Sequence, residues 1–68
     1  MTMGEKIDIV LQNRGIDNRR AAKLLGTREN LLSMWKYDER PMPLRHVIKF
    51  CKEFNLDANW FLGLEEND

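Results

Sequence analysis

The chain has 68 residues, of which 43% are hydrophobic and 32% charged, and its 11 Lys or Arg residues are balanced by 11 Asp or Glu residues. This length gives one small domain, residues 1–68, and the composition excludes a disordered or collagen-like chain. A single Cys and a single His exclude an internal disulfide and a metal site built from these two ligands, and no apolar run approaches the roughly 20 residues that span a bilayer. We therefore expect a cytoplasmic protein with no metal, no cofactor and no membrane partner.

The balanced net charge conceals an asymmetry along the chain. Residues 1–52 hold all 11 basic residues and six acids, whereas residues 53–68 hold five acids and no base. A basic body is typical of proteins that bind polyanions, and an acidic end, here with a short predicted tail of residues 64–68, limits indiscriminate attachment. An ordinary solvated surface has the same charge pattern, so charge alone does not decide between the two interpretations.

Helix-start and helix-stop residues predict two helices in the first part of the chain. Thr2 and Glu5 form a capping box for the first helix, whose apolar residues recur at helical spacing until Gly15. Asp17 caps a second helix, and Gly26 ends it after about eight residues. The resulting pattern is that of two short helices joined by a tight turn.

Three further helices are predicted in the second part. Thr27 or Arg28 opens the third, which ends near Tyr37, and the two prolines place residues 38–43 in a loop. The fourth helix ends at Asn55, and its apolar residues follow a spacing of three and four: Leu44, Val47, Ile48, Cys51 and Phe54. Asp57 caps a last short helix, which Gly63 closes. The sequence therefore predicts an all-α fold, a compact five-helix domain.

Residues 17–37 have the pattern of a helix-turn-helix. Such a motif needs a small residue where its helices cross, a glycine at the turn, and apolar residues that hold the second helix on the body. Ala22, Gly26, Leu32 and Trp35 meet these needs in order. A plain corner of two helices without a ligand has the same pattern, so the motif by itself leaves both interpretations open.

Nearly the whole chain resembles the lambda-repressor-like family, which includes phage repressor and Cro proteins and regulators of the XRE type. Arg14 and Gly15 end the first helix as in that family, the helix-turn-helix and a loop follow, and Asp57 to Gly63 match the family's Asp-x-x-Trp-Leu-Leu-like ending. The resemblance implies a five-helix domain that forms a homodimer and places its third helix in the major groove of a palindromic operator in double-stranded DNA.

The resemblance also implies which residues contact DNA. The positions that face the groove, and therefore the bases, are Arg28, Glu29, Asn30, Ser33 and Met34. Predicted phosphate contacts are Asn18, which stands where the family has Gln, together with Arg19, Arg20, Thr27, Tyr37 and Arg40. A helical wheel independently points Asn30, Ser33, Met34 and Tyr37 away from the core, but it places Arg28 on the core side. Residues 14–28 hold five basic residues, Arg14 among them, against one acid, which favours DNA as the partner.

Several residues have more than one interpretation. Thr27 caps the third helix if Arg28 does not, which would shift the register of the DNA-facing residues by one. Leu24 and Leu31 stand where the family has polar residues, and they form either a protein interface or part of the core. At the C-terminal end we predict a dimer interface of Trp60, Phe61 and Leu64, in which Trp60 also belongs to the core.

No set of residues predicts catalysis. His46 is expected at a surface or half-buried position, and Cys51 is expected to be a small apolar core residue. The chain lacks a Ser/His/Asp set and a glycine loop for phosphate, so we do not expect an enzyme. The first hypothesis is a DNA-binding transcriptional regulator that acts as a repressor. The alternative is an antirepressor with the same fold that binds another regulator protein.

Overall fold

A computed structural model describes residues 1–64 as five helices packed around one hydrophobic core. The helices are α1 (Met3–Asn13), α2 (Asn18–Leu25), α3 (Glu29–Lys36), α4 (Leu44–Glu53) and α5 (Ala58–Leu62). Residues 1–64 contain no strand, which confirms the prediction of an all-α fold. In that part of the chain no helix has the length and apolarity needed to cross a membrane. Of the predicted acidic tail, residues 64–68, all but Leu64 lie outside the described residues.

The predicted residues define most of the helix ends. The Thr2 side chain accepts a hydrogen bond from the Glu5 backbone N–H at 3.1 Å, and the Glu5 carboxylate accepts one from the Thr2 N–H at 2.8 Å. Asp17 accepts from the Arg20 N–H at 2.9 Å, which satisfies one of the free donors at the start of α2. These contacts confirm the predicted capping box and the predicted cap of α2.

The turn between α2 and α3 settles which residue opens α3. Gly26 has a left-handed backbone with φ of +67°, and the Thr27 N–H donates to the Ala22 carbonyl at 2.9 Å. Thr27 therefore completes the end of α2, because its N–H satisfies a carbonyl of that helix. Arg28 is the N-cap of α3, and its side chain makes no capping hydrogen bond. Of the two predicted openings, Arg28 is correct and Thr27 is wrong.

Helix α4 buries only part of the apolar set that its spacing singles out, namely Val47, Cys51 and Phe54. Val47, Phe50 and Phe54 are buried, whereas Leu44 is 67% and Ile48 49% exposed. The prediction of a core role for Leu44 and Ile48 is wrong, because the aromatic rings of Phe50 and Phe54 turn the helix toward the side they occupy. These two rings lie 5.0 Å apart, and large rings contribute more buried area than two aliphatic side chains.

Helix α5 also differs from the prediction. Phe61 is 1% exposed, and its ring lies 5.1 Å from that of Phe50, so it belongs to the core of one copy of the chain. The prediction that Phe61 contacts a second copy is therefore wrong. Trp60 is only partly buried and packs against the core, while Leu64 is 69% exposed. Phe61 has the core role that we predicted for Trp60, because it is the side chain that α5 turns inward.

Two basic residues, Lys6 of α1 and Arg14 directly after α1, stabilise the ends of the last two helices. The Lys6 ammonium is buried, donates to the Trp60 carbonyl at 2.6 Å, and lies 5.3 Å from the centre of the Trp60 ring. The Arg14 guanidinium donates to the Phe54 carbonyl at 2.9 Å. Both cations therefore satisfy carbonyls at helix C-termini, where positive charge is favourable.

Helix α1 crosses the end of α3 at Gly4. A Cβ at this position would lie 2.7 Å from the Lys36 carbonyl carbon, 2.8 Å from the Trp35 carbonyl oxygen, and closer still to the Lys36 oxygen. The Gly4 N–H donates to the Asp38 carboxylate at 3.1 Å, and Asp38 has a left-handed φ of +59°. The absence of a side chain at Gly4 thus permits the contact between α1 and α3.

Candidate nucleic-acid interface

Helices α2 and α3 form the candidate helix-turn-helix. Leu32 is fully buried and Trp35 is 2% exposed, so these two side chains hold α3 against the core. The opposite face of α3 is turned outward: Glu29 and Asn30 are exposed, and Ser33 and Met34 are half-buried. Arg28, which the helical wheel placed on the core side, is exposed because it precedes the first helical turn.

An open groove of about 460 Å³ runs between α2 and the start of α3. Its lining residues are Arg19, Ala22, Lys23, Thr27, Arg28, Glu29 and Asn30. A second groove of about 380 Å³ is lined by Asp17, Arg19, Arg20 and Lys23, so Arg19 and Lys23 belong to both. The structure therefore brings together five of the predicted DNA contacts in the first groove, and Arg20 beside them in the second.

The basic side chains of these grooves have no partner among residues 1–64. Within residues 1–64, the guanidinium and ammonium groups of Arg19, Arg20, Lys23 and Arg28 make no ion pair and no hydrogen bond. We refer to these four residues as the basic groove. The Asp17 carboxylate is engaged by the start of α2. The positive charges of the basic groove are consequently available to a ligand.

Arg14 lies apart from the basic groove. Its guanidinium donates to the Phe54 carbonyl and lies 5.5 Å from the centre of the Phe54 ring, at the end of α4. The count of five basic residues in 14–28 therefore overstates the charge of the candidate interface, since one of them stabilises a helix end.

Asn18, a predicted phosphate contact, is held by a residue that the sequence did not single out. Its side-chain oxygen accepts a hydrogen bond from the Lys36 ammonium at 2.8 Å, and the same ammonium pairs with the Asp8 carboxylate at 3.2 Å. This contact ties the start of α2 to the end of α3 and to α1. The NH₂ group of the Asn18 amide makes no hydrogen bond within residues 1–64 and is left as a donor for a ligand.

Two predicted phosphate contacts lie at the opposite end of α3. Tyr37 is 72% exposed and lines a small cleft of about 180 Å³ with Glu5, Asp8 and Lys36. Arg40 is exposed and lines a separate cleft of about 380 Å³ whose other residues are Met3, Trp35, Asp38, Pro41 and Met42. The structure thus separates Tyr37 and Arg40 from the basic groove by the length of α3.

Leu24 and Leu31 are partly buried and pack against the hydrophobic core. This packing agrees with the interpretation that places them beside the core, and a protein interface formed by their exposed parts stays a prediction. The large apolar side chains that are exposed on helices α1, α4 and α5 or just after them are Ile9, Leu44, Ile48, Leu62 and Leu64.

The two residues considered for other chemistry are both buried. His46 is 9% exposed, with its ring 4.9 Å from that of Trp35, so it lies deeper than predicted. Burial lowers the pKa of His46, and the nearby Arg45 and Lys49 cations lower it further. Cys51 is in the core, as predicted, and burial raises the pKa of its thiol. Among residues 1–64, no three His, Cys, Asp or Glu side chains are close enough together to hold a metal ion.

Sequence reasoning missed Lys36 and also Lys49. The ammonium of Lys49 lies 3.4 Å from the position that a Cβ at Gly26 would occupy, which places this α4 residue beside the turn between α2 and α3. The spacing of residues along α4 carries no signal for this contact, because it depends on how α4 packs against α2.

Comparison with known proteins gives no independent assignment of the chain. No protein-family model matches the sequence, and a search of curated proteins finds no match.

Proposed function

We propose that the chain is a sequence-specific DNA-binding transcriptional regulator of the lambda-repressor-like type, in which α2 and α3 are the helix-turn-helix. The observation that carries this proposal is the basic groove: four unpaired cations lie beside the exposed polar start of α3. Unpaired cations attract the DNA backbone and release its counterions, whereas the polar start of a helix in the major groove contacts the bases.

The dimensions of α3 support this placement. An α-helix such as α3, of eight residues, is about 10–12 Å across with its side chains, which fits the width of about 12 Å of the major groove of B-DNA. The basic groove lies at its start, and the exposed Tyr37 and Arg40 follow its end. A helix in the groove would therefore have groups for phosphate on both sides.

The chemistry of the exposed residues suits contacts with base edges. The Arg28 guanidinium donates two parallel hydrogen bonds, which match O6 and N7 of guanine. The Asn30 amide both donates and accepts, which matches adenine, and the Glu29 carboxylate accepts from cytosine N4. Arg28, Glu29 and Asn30 line the same groove. We propose these three as the principal base contacts, with the half-buried Ser33 and Met34 contributing apolar or short polar contacts.

Repression by occupying a palindromic operator requires two copies of the chain. Leu62 is 41% and Leu64 is 69% exposed at the end of α5, and both are large apolar side chains. Burying such residues against a second copy is favourable by the hydrophobic effect. We therefore place the dimer contact at Leu64 and the exposed part of Trp60, and not at Phe61.

The test is a titration with operator selected from random DNA and with mixed-sequence duplex, each at two salt concentrations. The double variant Arg28→Ala with Asn30→Ala should lose roughly 1–3 kcal/mol on the operator for each base contact and little on mixed duplex. Arg45→Ala is the matched control, because it removes the same charge from the exposed side of α4. An operator affinity unchanged by the double variant contradicts the proposal and favours binding to another regulator protein.

A further inference from the structure

Lys36 ends the helix that we place in the major groove, and it contacts two other helices from there. Its ammonium donates to the Asn18 oxygen at 2.8 Å and pairs with Asp8 at 3.2 Å. The Lys36 side chain is only 15% exposed, so this contact is shielded from solvent. A lysine that is mostly buried and doubly engaged is not a solvated surface charge.

We propose that Lys36 is a positioning residue for the DNA backbone: it holds the Asn18 amide with its oxygen toward the protein, so that the NH₂ group is presented to a phosphate. This inference rests on the proposed function. It deepens that proposal by adding a residue that acts on DNA through another residue and does not touch DNA itself.

The donor and acceptor character of the groups fixes the orientation of the Asn18 amide. A side-chain amide has an accepting oxygen and a donating NH₂ group, a lysine ammonium only donates, and a phosphate only accepts. The Lys36 ammonium can therefore bind only the oxygen of Asn18, which leaves the donor end of the amide. Without Lys36, either end of the amide can face outward, and the end with the oxygen repels a phosphate.

The position of Asn18 makes its donor end useful. Asn18 is the first residue of α2, where the free backbone N–H groups favour an anion, and Arg19 and Arg20 of the basic groove follow it directly. The amide is shorter than the Gln that the lambda-repressor-like family has at this position, so a fixed orientation matters more. The charge of Lys36 is balanced by Asp8, so Lys36 adds little to the electrostatic attraction of DNA.

The experiment measures affinity for mixed-sequence duplex DNA at low salt, because a phosphate contact does not depend on the operator. The variants are Asn18→Ala, Lys36→Met, their combination, and Lys36→Arg. Asn18→Ala and Lys36→Met should each weaken binding roughly two- to tenfold, which corresponds to one hydrogen bond. The combined variant should be no weaker than either single variant, since both remove the same contact. Lys36→Arg should retain the wild-type affinity because arginine also only donates.

The control is Lys52→Met. Lys52 occupies the last turn of α4 as Lys36 occupies the last turn of α3, and it is exposed. Its loss should change the affinity by less than about twofold at moderate salt. Lys36→Met should also leave the salt dependence of binding unchanged, whereas Arg19→Ala should lower its slope by about one. A general loss of charge or of stability would not weaken binding in Lys36→Met while leaving both its salt dependence and the affinity of Lys52→Met unchanged.

Two readouts separate positioning from a purely structural role. In ¹H–¹⁵N spectra, the Asn18 side-chain NH₂ signals should shift when duplex is added to the wild type, and they should not shift in Lys36→Met. Asn18→Asp keeps an oxygen for Lys36 but has no NH₂ group. It should be at least as stable as the wild type toward urea and should bind duplex more weakly than Asn18→Ala, and this variant tests the proposal even if Lys36→Met folds poorly.

The contrary outcomes are distinct. If the losses of Asn18→Ala and Lys36→Met multiply in the combined variant, the two residues act independently and Lys36 is not a positioning residue. If Asn18→Ala binds mixed-sequence duplex like the wild type while Arg19→Ala does not, the inference fails and the proposed function stands. Absence of duplex binding by the wild type at low salt removes the proposed function and this inference with it.

Discussion

Substitution of Gly4 by alanine tests how closely α1 approaches α3. At an exposed helix position this change would stabilise the protein by up to about 1 kcal/mol, because alanine has the higher helix propensity. At Gly4 the new Cβ would lie 2.7 Å from the Lys36 carbonyl carbon and 2.8 Å from the Trp35 carbonyl oxygen. These are backbone atoms, which cannot rotate away, and the Lys36 oxygen would lie closer still, so α1 and α3 must separate by about 1 Å to restore ordinary contact.

The expected cost follows from these distances. Insertion of a methyl group into a packed site costs about 1–3 kcal/mol, and we expect the upper end here because backbone blocks the Cβ. After the gain in helix propensity, a net loss of about 2 kcal/mol remains, which is a large part of the roughly 3–10 kcal/mol expected for a domain of this size. The melting temperature should fall by roughly 10 °C.

The assay is urea unfolding followed by tryptophan fluorescence, since Trp35 is buried next to this contact. Gly15→Ala is the matched control: Gly15 has a φ of +64°, and a Cβ there would meet no atom within 4 Å. This control has only the backbone strain of a left-handed residue, about 1 kcal/mol. A Gly4→Ala protein as stable as the wild type would refute the close crossing of α1 and α3.

Three further outcomes are expected. Lys6→Met should lower the free energy of unfolding by about 1–3 kcal/mol in urea titrations, because the Trp60 carbonyl loses a charged donor. The control Lys52→Met should change it by less than about 0.5 kcal/mol. The pKa of His46 in the folded protein is lowered, chiefly by burial, so as the pH falls the unfolded chain binds a proton before the folded protein does. The free energy of unfolding of the wild type should therefore be full above about pH 6.5 and should decrease as the pH drops below it. His46→Gln should show no such decrease in urea titrations between pH 7.5 and 5.5. Leu64→Asp should weaken self-association in sedimentation experiments without lowering the melting temperature, because Leu64 is exposed. Phe61→Ala should instead lower the free energy of unfolding by about 3–5 kcal/mol, because Phe61 is buried. A Leu64→Asp protein that associates like the wild type would place the dimer contact elsewhere.

The helix ends could be predicted from the sequence because they depend on local contacts. Asp17 caps α2 through a residue three positions away, and Asp57 caps α5 through one two positions away. Gly26 and Gly63 end helices in the left-handed conformation for the same local reason. Such contacts need no knowledge of how the helices pack.

The packing of α4 and α5 could not be predicted in the same way. The apolar spacing on α4 included Leu44 and Ile48 and left out Phe50, whose buried ring packs against that of Phe54 while Leu44 and Ile48 are exposed. On α5, Trp60 and Phe61 are adjacent, so their side chains point in different directions, and only the position of Phe50 selects Phe61 for the core. These choices depend on residues that are distant in sequence, which a one-dimensional pattern does not contain.

In the candidate site, too, features that depend on local sequence could be predicted, and contacts between separate helices could not. The exposure of Asn30 agrees with its predicted outward placement, because the helix period and the buried Leu32 and Trp35 fix the outer face of α3. Arg28 is exposed for a reason that the helix period does not contain, since it is the N-cap and precedes the first turn. The contacts of Lys36 and Lys49 were missed, since each joins residues from separate helices. The roles of all these residues toward DNA stay predictions.

The placement of the basic residues also explains how a chain with no net charge can be proposed to bind a polyanion. Lys6, Arg14 and Lys36 direct their cations to carbonyls, an amide and a carboxylate of the protein. Within residues 1–64 the side chains of the basic groove have no such partner, and they converge on one side of the start of α3. Asp17 and Glu29 line the same grooves, so four cations and two acids leave an excess of two positive charges there. Screening at physiological salt extends over about 8 Å, so a phosphate near the groove experiences this local excess more strongly than the charges of the distant surface. Local charge, and not the sum over the chain, therefore determines whether the proposed interface attracts DNA.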